Sequence, residues 1–477
     1  MIDFINSNNI IKDISEIAKK NGVEAFLVGG YVRDRLLGIE KSDIDITIIG
    51  SAVVFAAVIA RNFGKELDAV YEKFGTALLN LNAENNETIK IEFASARKES
   101  YRKSSRKPEI EYSDLIDDLS RRDFTINALA ISLNDNSNKI IDFFNGVGDL
   151  DKKILRTPLE PIKTFDDDPL RIMRACRFAS QLDFSIAPET FDAMKEMSSR
   201  LTLTESEPSV VSQERITDEF LKILASPKPS IGLKLLFRAG ILEIIFPEIH
   251  SMEGVDQRKD FHHKDVFYHT LQVVDNTASR SSNIWLRFAA LVHDIAKPPT
   301  KKFIEGTGWT FHGHEELGAR WQKKIFQRMK LPFDKLPYVE KLVRLHLRPI
   351  ALAEENVTDS AIRRLIYDAG DEIDDLLTLC RSDITSKDPD KVNKFLDNFE
   401  RVEKRIGEVE ERDRIRNFQS PVRGEEIMKI CNLKPSREVG KIKKKIEDAI
   451  LDGIIPNEYD AALEYLNKIK DEVLNFK

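Results

Sequence analysis

The feature that most constrains this chain is a change of pattern near residue 165. Before it, short apolar and β-branched runs typical of strands, at 25–28, 44–49 and 88–95, alternate with amphipathic stretches. After it, strand patterns nearly vanish and amphipathic helical stretches follow one another to the end. At 477 residues the chain is also too long for a single core. The sequence therefore predicts an α+β first part and an all-helical remainder.

Several protein classes are excluded by composition. No apolar run approaches the ~20 residues that a membrane-spanning helix needs. The N-terminus carries Asp3 and no basic segment, unlike a signal peptide. Three widely spaced cysteines argue against a disulfide framework or a thiolate zinc site. We therefore expect a reduced, cytoplasmic protein with no membrane partner.

Basic residues are concentrated locally in a chain whose net charge is −7. Any nucleic-acid binding must use local patches, because a global basic field is absent. One patch is the stretch 97–107 (RKESYRKSSRK), and another contains Lys441, Lys443, Lys444 and Lys445. Either patch, taken alone, is equally typical of a solvated loop or helix face.

A glycine pair follows the first apolar strand. Gly29 and Gly30 precede a segment, VRDRLLG, with a helical pattern. Glycines let the backbone approach a phosphate closely, a helix N-terminus offers unpaired N–H groups, and Arg33 could add a charged fork. A Gly pair alone also fits an ordinary tight turn.

Two carboxylates begin the second strand. A period of two places Asp43 and Asp45 on one face, while Ile44 and Ile46 point into the core. Oxygen ligands of this kind suit Mg²⁺. Glu92 lies on the polar face of another strand and is a candidate third acid. The alternative is that these are ordinary solvated acids.

A third motif is RRDFTINALA (121–130). Its two arginines, its acid and Asn127 are expected to introduce an apolar helix, and Arg122 is placed to grip a triphosphate.

Together these segments resemble one family. GGYVRD, the Asp-Ile-Asp strand, RRDFTINALA, residues 142–157, residues 167–184 and residues 212–224 follow in the order found in class II tRNA nucleotidyltransferases. This family comprises CCA-adding enzymes and related bacterial poly(A) polymerases, within the polymerase-β superfamily. The resemblance implies a five-stranded polymerase-β-like head followed by helical domains.

The resemblance also implies roles for the head residues. Asp43 and Asp45 would hold two catalytic Mg²⁺ ions, with Glu92 as an additional acid nearby. Gly29, Gly30 and Arg33 would hold the triphosphate, supported by Arg122 and Asn127.

The family selects nucleotides with protein groups through a motif written EDxxR. Here it reads DDPLR, so Asp168 and Arg171 match the base-reading pair and only their neighbour departs. Arg174 and Arg177 follow Arg171 at helical spacing, so the three arginines would form one basic stripe. By the resemblance, Arg174 and Arg177 would contact the nucleotide and its phosphates. The basic stretch 97–107 occupies the place of the family's mobile loop, implicated in switching from C to A addition.

Seven of the eight histidines lie between His262 and His346. Imidazoles and carboxylates from several helices are what a dinuclear metal site needs. The pattern resembles the HD phosphohydrolase domain. His269, His293, Asp294 and Asp383 match its basic set, and His314 and His346 match an expanded set. Such ligands favour a transition metal such as Mn²⁺, Co²⁺ or Ni²⁺, although the domain could also be a relic that supports tRNA.

These resemblances predict a template-independent enzyme that adds CCA to tRNA from CTP and ATP by a two-metal mechanism. Its domains would be a head (1–155), a neck that selects nucleotides and binds tRNA (156–250), an HD domain (251–390) and a helical tail (391–477). The alternatives are a poly(A) polymerase, an enzyme adding only CC or only A, and an HD phosphohydrolase with a non-catalytic RNA-binding head.

Overall fold

The computed structural model describes residues 3–6, 8–82, 88–100, 109–135, 137–201, 211–255, 265–354, 358–385, 389–413, 416 and 418–474. The chain divides into two compact units, residues 1–245 and 246–477. Of the basic stretch 97–107, residues 101–107 lie outside the described part, as does His262.

The first unit is built on a mixed sheet of seven strands in the order β3-β4-β5-β2-β1-β8-β9. Its β2 and β5 pair in parallel, and the other neighbours pair antiparallel. The strands of this unit are β1 (Ala25–Val28), β2 (Asp43–Ile48), β3 (Ala69–Tyr71), β4 (Thr76–Asn82), β5 (Thr88–Ser95), β6 (Arg97–Ser100), β7 (Glu109–Tyr112), β8 (Leu129–Ser132), β9 (Ile140–Asp142), β10 (Ile154–Leu155) and β11 (Ser185–Ile186).

The expectation of a five-stranded head is wrong by two strands. The two edges of the sheet, β3 and β9, are each three residues long. Runs this short are difficult to recognise as strands, and short edge strands are a common way of limiting edge-to-edge pairing. The three strands predicted from sequence patterns, at 25–28, 44–49 and 88–95, are confirmed within one residue.

The apolar helix expected after the RRDF motif is also wrong. Thr125–Asn127 is a single 3₁₀ turn, and the apolar residues that follow form the strand β8. Leu129, Ala130 and Ile131 are fully buried because β8 lies inside the sheet between β1 and β9. A strand buried on both faces is continuously apolar, so periodicity cannot distinguish it from a buried helix.

Helices cover both faces of the sheet: α3 (Ala52–Asn62) packs on one face, and Leu119 of α4 (Leu115–Ser120) packs with Val28 and Ala130 on the other. Ala77, Leu79, Ile91 and Phe93 are buried on the face against which α3 packs. The helices are α1 (Asn9–Asn21), α2 (Gly30–Leu36), α3 (Ala52–Asn62), α4 (Leu115–Ser120), α5 (Gly146–Lys152), α6 (Pro161–Asp167), α7 (Leu170–Leu182), α8 (Pro188–Glu196), α9 (Gln213–Leu224), α10 (Pro229–Arg238) and α11 (Ile241–Ile245), with 3₁₀ turns at Glu72–Phe74, Thr125–Asn127 and Ser198–Leu201.

In its described residues, the second unit is helical apart from one hairpin, β12 (Lys302–Ile304) and β13 (Gly308–Thr310). Its helices are α12 (Pro247–His250), α13 (Val266–Arg280), α14 (Ile284–Val292), α15 (Lys297–Thr300), α16 (His314–Met329), α17 (Leu336–Leu345), α18 (Leu347–Glu354), α19 (Asp359–Ala369), α20 (Ile373–Asp383), α21 (Pro389–Asp413), α22 (Gly424–Cys431), α23 (Arg437–Leu451) and α24 (Tyr459–Leu474), with 3₁₀ turns at Phe333–Lys335 and Gly370–Glu372.

The core of the second unit forms around α14. Seven consecutive residues of this helix, 286–292, are buried, and α13, α17 and α20 pack against it. An apolar helix buried on every side belongs at the centre of a helical domain. By contrast, Lys441, Lys443, Lys444 and Lys445 are all exposed on α23. Within the described residues, no helix is both long and apolar enough to cross a bilayer.

Candidate functional site

Three carboxylates share the open face of the sheet. Ile44 and Ile46 are 1% exposed, so the alternating Asp43 and Asp45 point away from the core, as predicted. The parallel register of β2 and β5 pairs Asp45 directly with Glu92. Cross-strand partners have Cβ atoms about 5 Å apart, which makes Asp45 and Glu92 close neighbours.

The electrostatics of this row favour a cation. Burial raises the pKa of the Asp45 carboxyl; Arg122 opposes this, and Asp43 adds to it. Loss of water around its carboxyl, together with the charge on Asp45, raises the pKa of Glu92. Like charges held together destabilise their ionised forms unless a cation compensates them. The oxygen donors therefore fit a hard divalent ion such as Mg²⁺.

Gly29 brings the backbone against these groups. It has φ +69°, a conformation that favours glycine, and it forms the N-terminus of α2. A Cβ atom added there would lie 2.7 Å from Nη1 of Arg122 and 3.4 Å from Oδ2 of Asp45. Gly30 follows, with Arg33 3.6 Å from the position of its Cβ. No other residue type fits at Gly29 without moving Arg122.

Arg33 is buried in a polar network behind the glycines. Its Nε donates to Asp34 at 2.7 Å, and its Nη1 donates to Oδ1 of Asn127 at 2.6 Å. Lys41 pairs with the same Asp34 at 2.7 Å. Arg33 and Asn127, which the resemblance assigns to the same triphosphate, are thus in direct contact.

Arg122 lies between the carboxylates and α4. Its Nη2 donates to Asp118 at 3.1 Å, while its Nε is buried and makes no hydrogen bond with any described residue. A buried N–H with no partner is unfavourable, and an anionic ligand would satisfy it.

The predicted base readers stand at the beginning of α7. The Asp168 Oδ1 accepts a hydrogen bond from the backbone N–H of Leu170 at 3.2 Å. Arg171 donates to the carbonyls of Thr164 at 3.2 Å and Arg121 at 2.5 Å. The two side chains therefore have partly fixed orientations.

Farther along α7, the other two predicted arginines are held by acids. Arg174 forms two hydrogen bonds with Oδ2 of Asp123, at 2.8 and 2.5 Å. Nε of Arg177 lies 3.0 Å from Glu219. Both guanidinium groups, with that of Arg33, lie 4.4–5.4 Å from the centre of the Phe178 ring. Such spacing is typical of cation–π contacts.

Asp123 is a residue of this site that sequence reasoning did not single out. It is 6% exposed and also accepts from Nδ2 of Asn127 at 2.8 Å. Although burial raises its pKa, Arg174 and Asn127 outweigh that effect and lower the pKa to about 2. Its place inside the RRDF motif was the available signal. Asp123 therefore joins α7 to the residues behind the glycine pair.

The predicted site residues of the first unit, together with Asp123, line one open cavity of about 980 Å³. Eleven lysine and arginine side chains face six carboxylates around it, an excess of five positive charges. The cavity contains all twelve of the site residues predicted for the first unit: Gly29, Gly30, Arg33, Asp43, Asp45, Glu92, Arg122, Asn127, Asp168, Arg171, Arg174 and Arg177. Such a field attracts a polyanionic ligand.

A second cluster lies in the other unit, and it contains all six predicted HD residues. Their ligand atoms form two sets, each with every atom within 4.8 Å of the others. One set is His269, His293 and Asp383; the other is Asp294, His314 and His346. Among the described residues, these are the two groups whose ligand atoms lie close enough to share a metal ion, and both belong to the second unit. Neither group includes Asp43, Asp45 or Glu92.

Three of the imidazoles are oriented by the chain immediately before them. Nδ1 of His293, His314 and His346 lies 2.6–2.8 Å from the carbonyl oxygen three residues earlier. A carbonyl can only accept, so these contacts place the proton on Nδ1 and leave the lone pair of a neutral imidazole on Nε2. In metal sites, such hydrogen bonds orient histidine ligands.

The Nε2 atoms face each other and the carboxylates. Nε2 of His314 is 3.3 Å from Nε2 of His346 and 3.2 Å from Oδ1 of Asp294. Buried Nε2 of His293, Oδ1 of Asp294 and Oδ1 of Asp383 make no hydrogen bond with other described groups. Opposed acceptors of this kind need a cation between them, so the donor set fits one or two metal ions.

The acids of this cluster dominate its electrostatics. Burial lowers the pKa of His293, but Asp294 and Asp383 outweigh it and raise the pKa to about 10. Burial and the nearby His293 lower the pKa of His346 to about 3. Lys297 pairs with Asp294 at 2.7 Å. The two acids therefore favour a positive charge beside His293, the place that a metal ion would occupy.

Comparison with protein families gives three matches in order along the chain. Residues 25–156 match the poly A polymerase head domain, and residues 183–253 match the probable RNA and SrmB-binding site of polymerase A. Residues 266–378 match the HD domain. The three matches confirm the resemblances found in the sequence and the predicted fold class.

The names of two similar proteins agree with these domain matches. A multifunctional CCA protein from Vibrio parahaemolyticus is 30% identical over 370 residues, which cover 76% of this chain and 85% of the relative. An A-adding tRNA nucleotidyltransferase from Deinococcus radiodurans is 28% identical over 434 residues, or 89% and 91% of the two chains.

Among solved structures, a tRNA nucleotidyltransferase complexed with a primer tRNA and an incoming ATP analog is similar at 26% identity and a TM-score of 0.57. The similarity covers 82% of this chain and 98% of that one. The chain therefore belongs to the tRNA nucleotidyltransferase family that includes the multifunctional CCA proteins, and it is a nucleotidyltransferase carrying an HD domain.

Proposed function

We propose that this enzyme adds CMP, CMP and AMP to the 3′ end of tRNA, using CTP and ATP. The observation that carries the proposal is the group of Asp43, Asp45 and Glu92 on one face of the sheet, with Asp45 paired to Glu92, in a cavity lined by five more basic than acidic side chains. Phosphoryl and nucleotidyl transfer need both elements, since carboxylates hold the metal and cationic groups neutralise the triphosphate.

Each group in the cavity has a role that its contacts support. Gly29 exposes its backbone to the triphosphate, and the guanidinium of Arg122 beside it supplies positive charge. Asp43 and Asp45 would hold Mg²⁺, which supplies charge stabilisation at the α-phosphate and lowers the pKa of the attacking hydroxyl. Glu92, opposite Asp45, would be an additional acid near the metal.

Base selection is assigned to α7. Asp168 offers an acceptor and Arg171 a donor fork, which suit the Watson–Crick edge of cytosine and, after a shift, of adenine. Their hydrogen bonds to backbone groups limit how far each can turn. Arg174 and Arg177 hold the phosphates and the sugar side of the nucleotide.

We assign the HD cluster a second activity, hydrolysis of phosphate esters or 2′,3′-cyclic phosphates. The two convergent sets of ligands favour a transition metal, with Mn²⁺, Co²⁺ and Ni²⁺ as candidates. We also propose the domain limits 1–155, 156–250, 251–390 and 391–477. We propose a cytoplasmic location, which suits a tRNA substrate and a chain with three widely spaced cysteines.

The decisive experiment uses tRNA transcripts that end at the discriminator base, at C and at CC. With CTP alone, the enzyme should add two residues to the first; with CTP and ATP, it should complete CCA and stop. An A-adding enzyme would extend only the CC transcript. A CC-adding enzyme would never add A, and a poly(A) polymerase would continue past one A.

A further inference from the structure

The open face of the sheet continues beyond the carboxylates. Register aligns Asp45, Glu92, Leu78 and Ala69 in one row across β2, β5, β4 and β3. Side chains in such a row share a face. Leu78 is half-buried there, so it provides an apolar floor next to Glu92.

Two exposed aromatic rings stand at the far end of this floor. Tyr71 is 51% exposed and Phe74 is 46% exposed. With Thr76, Leu78, Glu92 and Arg97 they line a cavity of about 250 Å³. Phe74, Glu92 and Arg97 also line the large cationic cavity, so the two cavities are neighbours that share three lining residues. Exposed aromatic groups gathered beside a reaction site suggest a ligand.

The turn that carries Phe74 is rigid. Gly75 closes it at φ +58°, and an added Cβ would lie 2.9 Å from Oγ of Ser95. The carbonyl of Phe74 accepts a hydrogen bond from Nη1 of Arg97 at 2.7 Å. The ring is therefore presented by a fixed backbone, which lowers the entropy cost of stacking a ligand on it.

The geometry of the reaction indicates which part of the substrate lies here. Nucleotidyl transfer places the attacking and leaving oxygens roughly in line through the phosphorus atom. The triphosphate groups, Gly29 and Arg33, belong to β1 and α2, on one side of the Asp43–Asp45 strand. The attacking 3′-hydroxyl must therefore approach from the other side, over β5 and β4.

We propose that Tyr71 and Phe74 form a stacking subsite for the terminal base of the acceptor tRNA, which sets its 3′-hydroxyl beside Glu92. This inference rests on the proposed nucleotidyltransferase function. Stacking suits the task because the terminal base changes with every nucleotide added. Every base has a π-face, whereas hydrogen-bond recognition would reject some of the intermediates.

The test compares Tyr71→Ala and Phe74→Ala with wild type and with Val70→Ala. Val70 is an exposed neighbour on the opposite face of β3. Each aromatic deletion should raise KM for tRNA by roughly 5- to 150-fold, the range for losing one stacked base, with KM for CTP and Tm unchanged. Tyr71→Phe and Phe74→Tyr should retain wild-type KM, because both keep the ring.

A second substrate removes the base instead of the ring. Wild type should bind an acceptor tRNA with an abasic terminal nucleotide as weakly as Phe74→Ala binds the intact acceptor. The affinity of Phe74→Ala should be the same for the abasic and the intact acceptor. Equal binding of the two acceptors by wild type would overturn the subsite. Because equilibrium binding needs no turnover, this comparison also holds if wild type adds no nucleotide, the result that would instead reject the proposed function.

Discussion

The carboxylate of Asp123 should contribute strongly to the stability of the first unit. It is nearly buried, and Arg174 and Asn127 hold it ionised. Replacing it by Asn preserves its size, removes its charge and turns one acceptor oxygen into an N–H donor, so the change removes the ionic pairing with Arg174.

The size of the effect follows from its pKa. The environment of Asp123 lowers this pKa from its ordinary value of 3.8 to about 2. That difference corresponds to ~2.5 kcal/mol in favour of the ionised folded state. The Arg174 side chain is about one-third exposed, so water can hydrate it when its partner is lost, and the cost stays below that of breaking a fully buried pair.

Urea unfolding of the first unit at several pH values measures this contribution. A folded-state pKa below the unfolded one means that the stabilisation is complete above about pH 5 and is lost as the pH falls towards 2. Asp123→Asn should therefore be destabilised by ~2 kcal/mol at pH 7, and the gap should close in acid.

The matched control is Asp192→Asn, an exposed carboxylate paired with Lys195. It should change stability by less than about 0.5 kcal/mol at every pH. If Asp123→Asn is as mild as this control, or if its deficit does not depend on pH, the assignment of a strongly held charge to Asp123 is refuted.

Four other variants test the assigned roles. Asp45→Asn should lower turnover at least ~10³-fold, since a metal ligand is lost, with tRNA affinity in filter binding unchanged; a parallel loss of affinity would contradict metal binding. Arg171→Ala should reduce discrimination between CTP and UTP in kcat/KM at least about tenfold, whereas uniform weakening of all triphosphates would place the reader elsewhere. Gly29→Ala should lower kcat/KM for CTP about tenfold or more, because its Cβ displaces a guanidinium; full activity would argue against that contact. The double variant His293→Ala, Asp294→Ala should lose hydrolysis of 2′,3′-cyclic phosphates while CCA addition stays within about twofold; loss of both activities in a folded protein would show that the sites depend on each other.

Local patterns in the sequence predicted much of the site. The period-two alternation was enough to put Asp43 and Asp45 on one face, because it depends only on strand geometry. The positions of His269 and His293, within and at the end of apolar helices, likewise followed from spacing. The order of the motifs along the chain then indicated the family.

Contacts between distant segments were not predictable. The register that pairs Asp45 with Glu92 joins residues far apart in the chain, and alternation within each strand does not fix it. Asp123 meets Arg174 across 51 residues of sequence. The edge strand β3 is too short to produce a pattern, so the aromatic turn beside Glu92 was also missed.

Three histidines of the HD cluster are each oriented by their own segment of chain, through a carbonyl three residues earlier. His293 and His346 end their helices, and each satisfies a carbonyl of the last turn that the helix itself leaves unpaired. A ligand set in this way is oriented as soon as its own helix end forms, before distant helices meet. The metal centre then forms when helices whose histidines are already oriented pack together. Loss of the metal would therefore leave the helices and these histidine orientations in place.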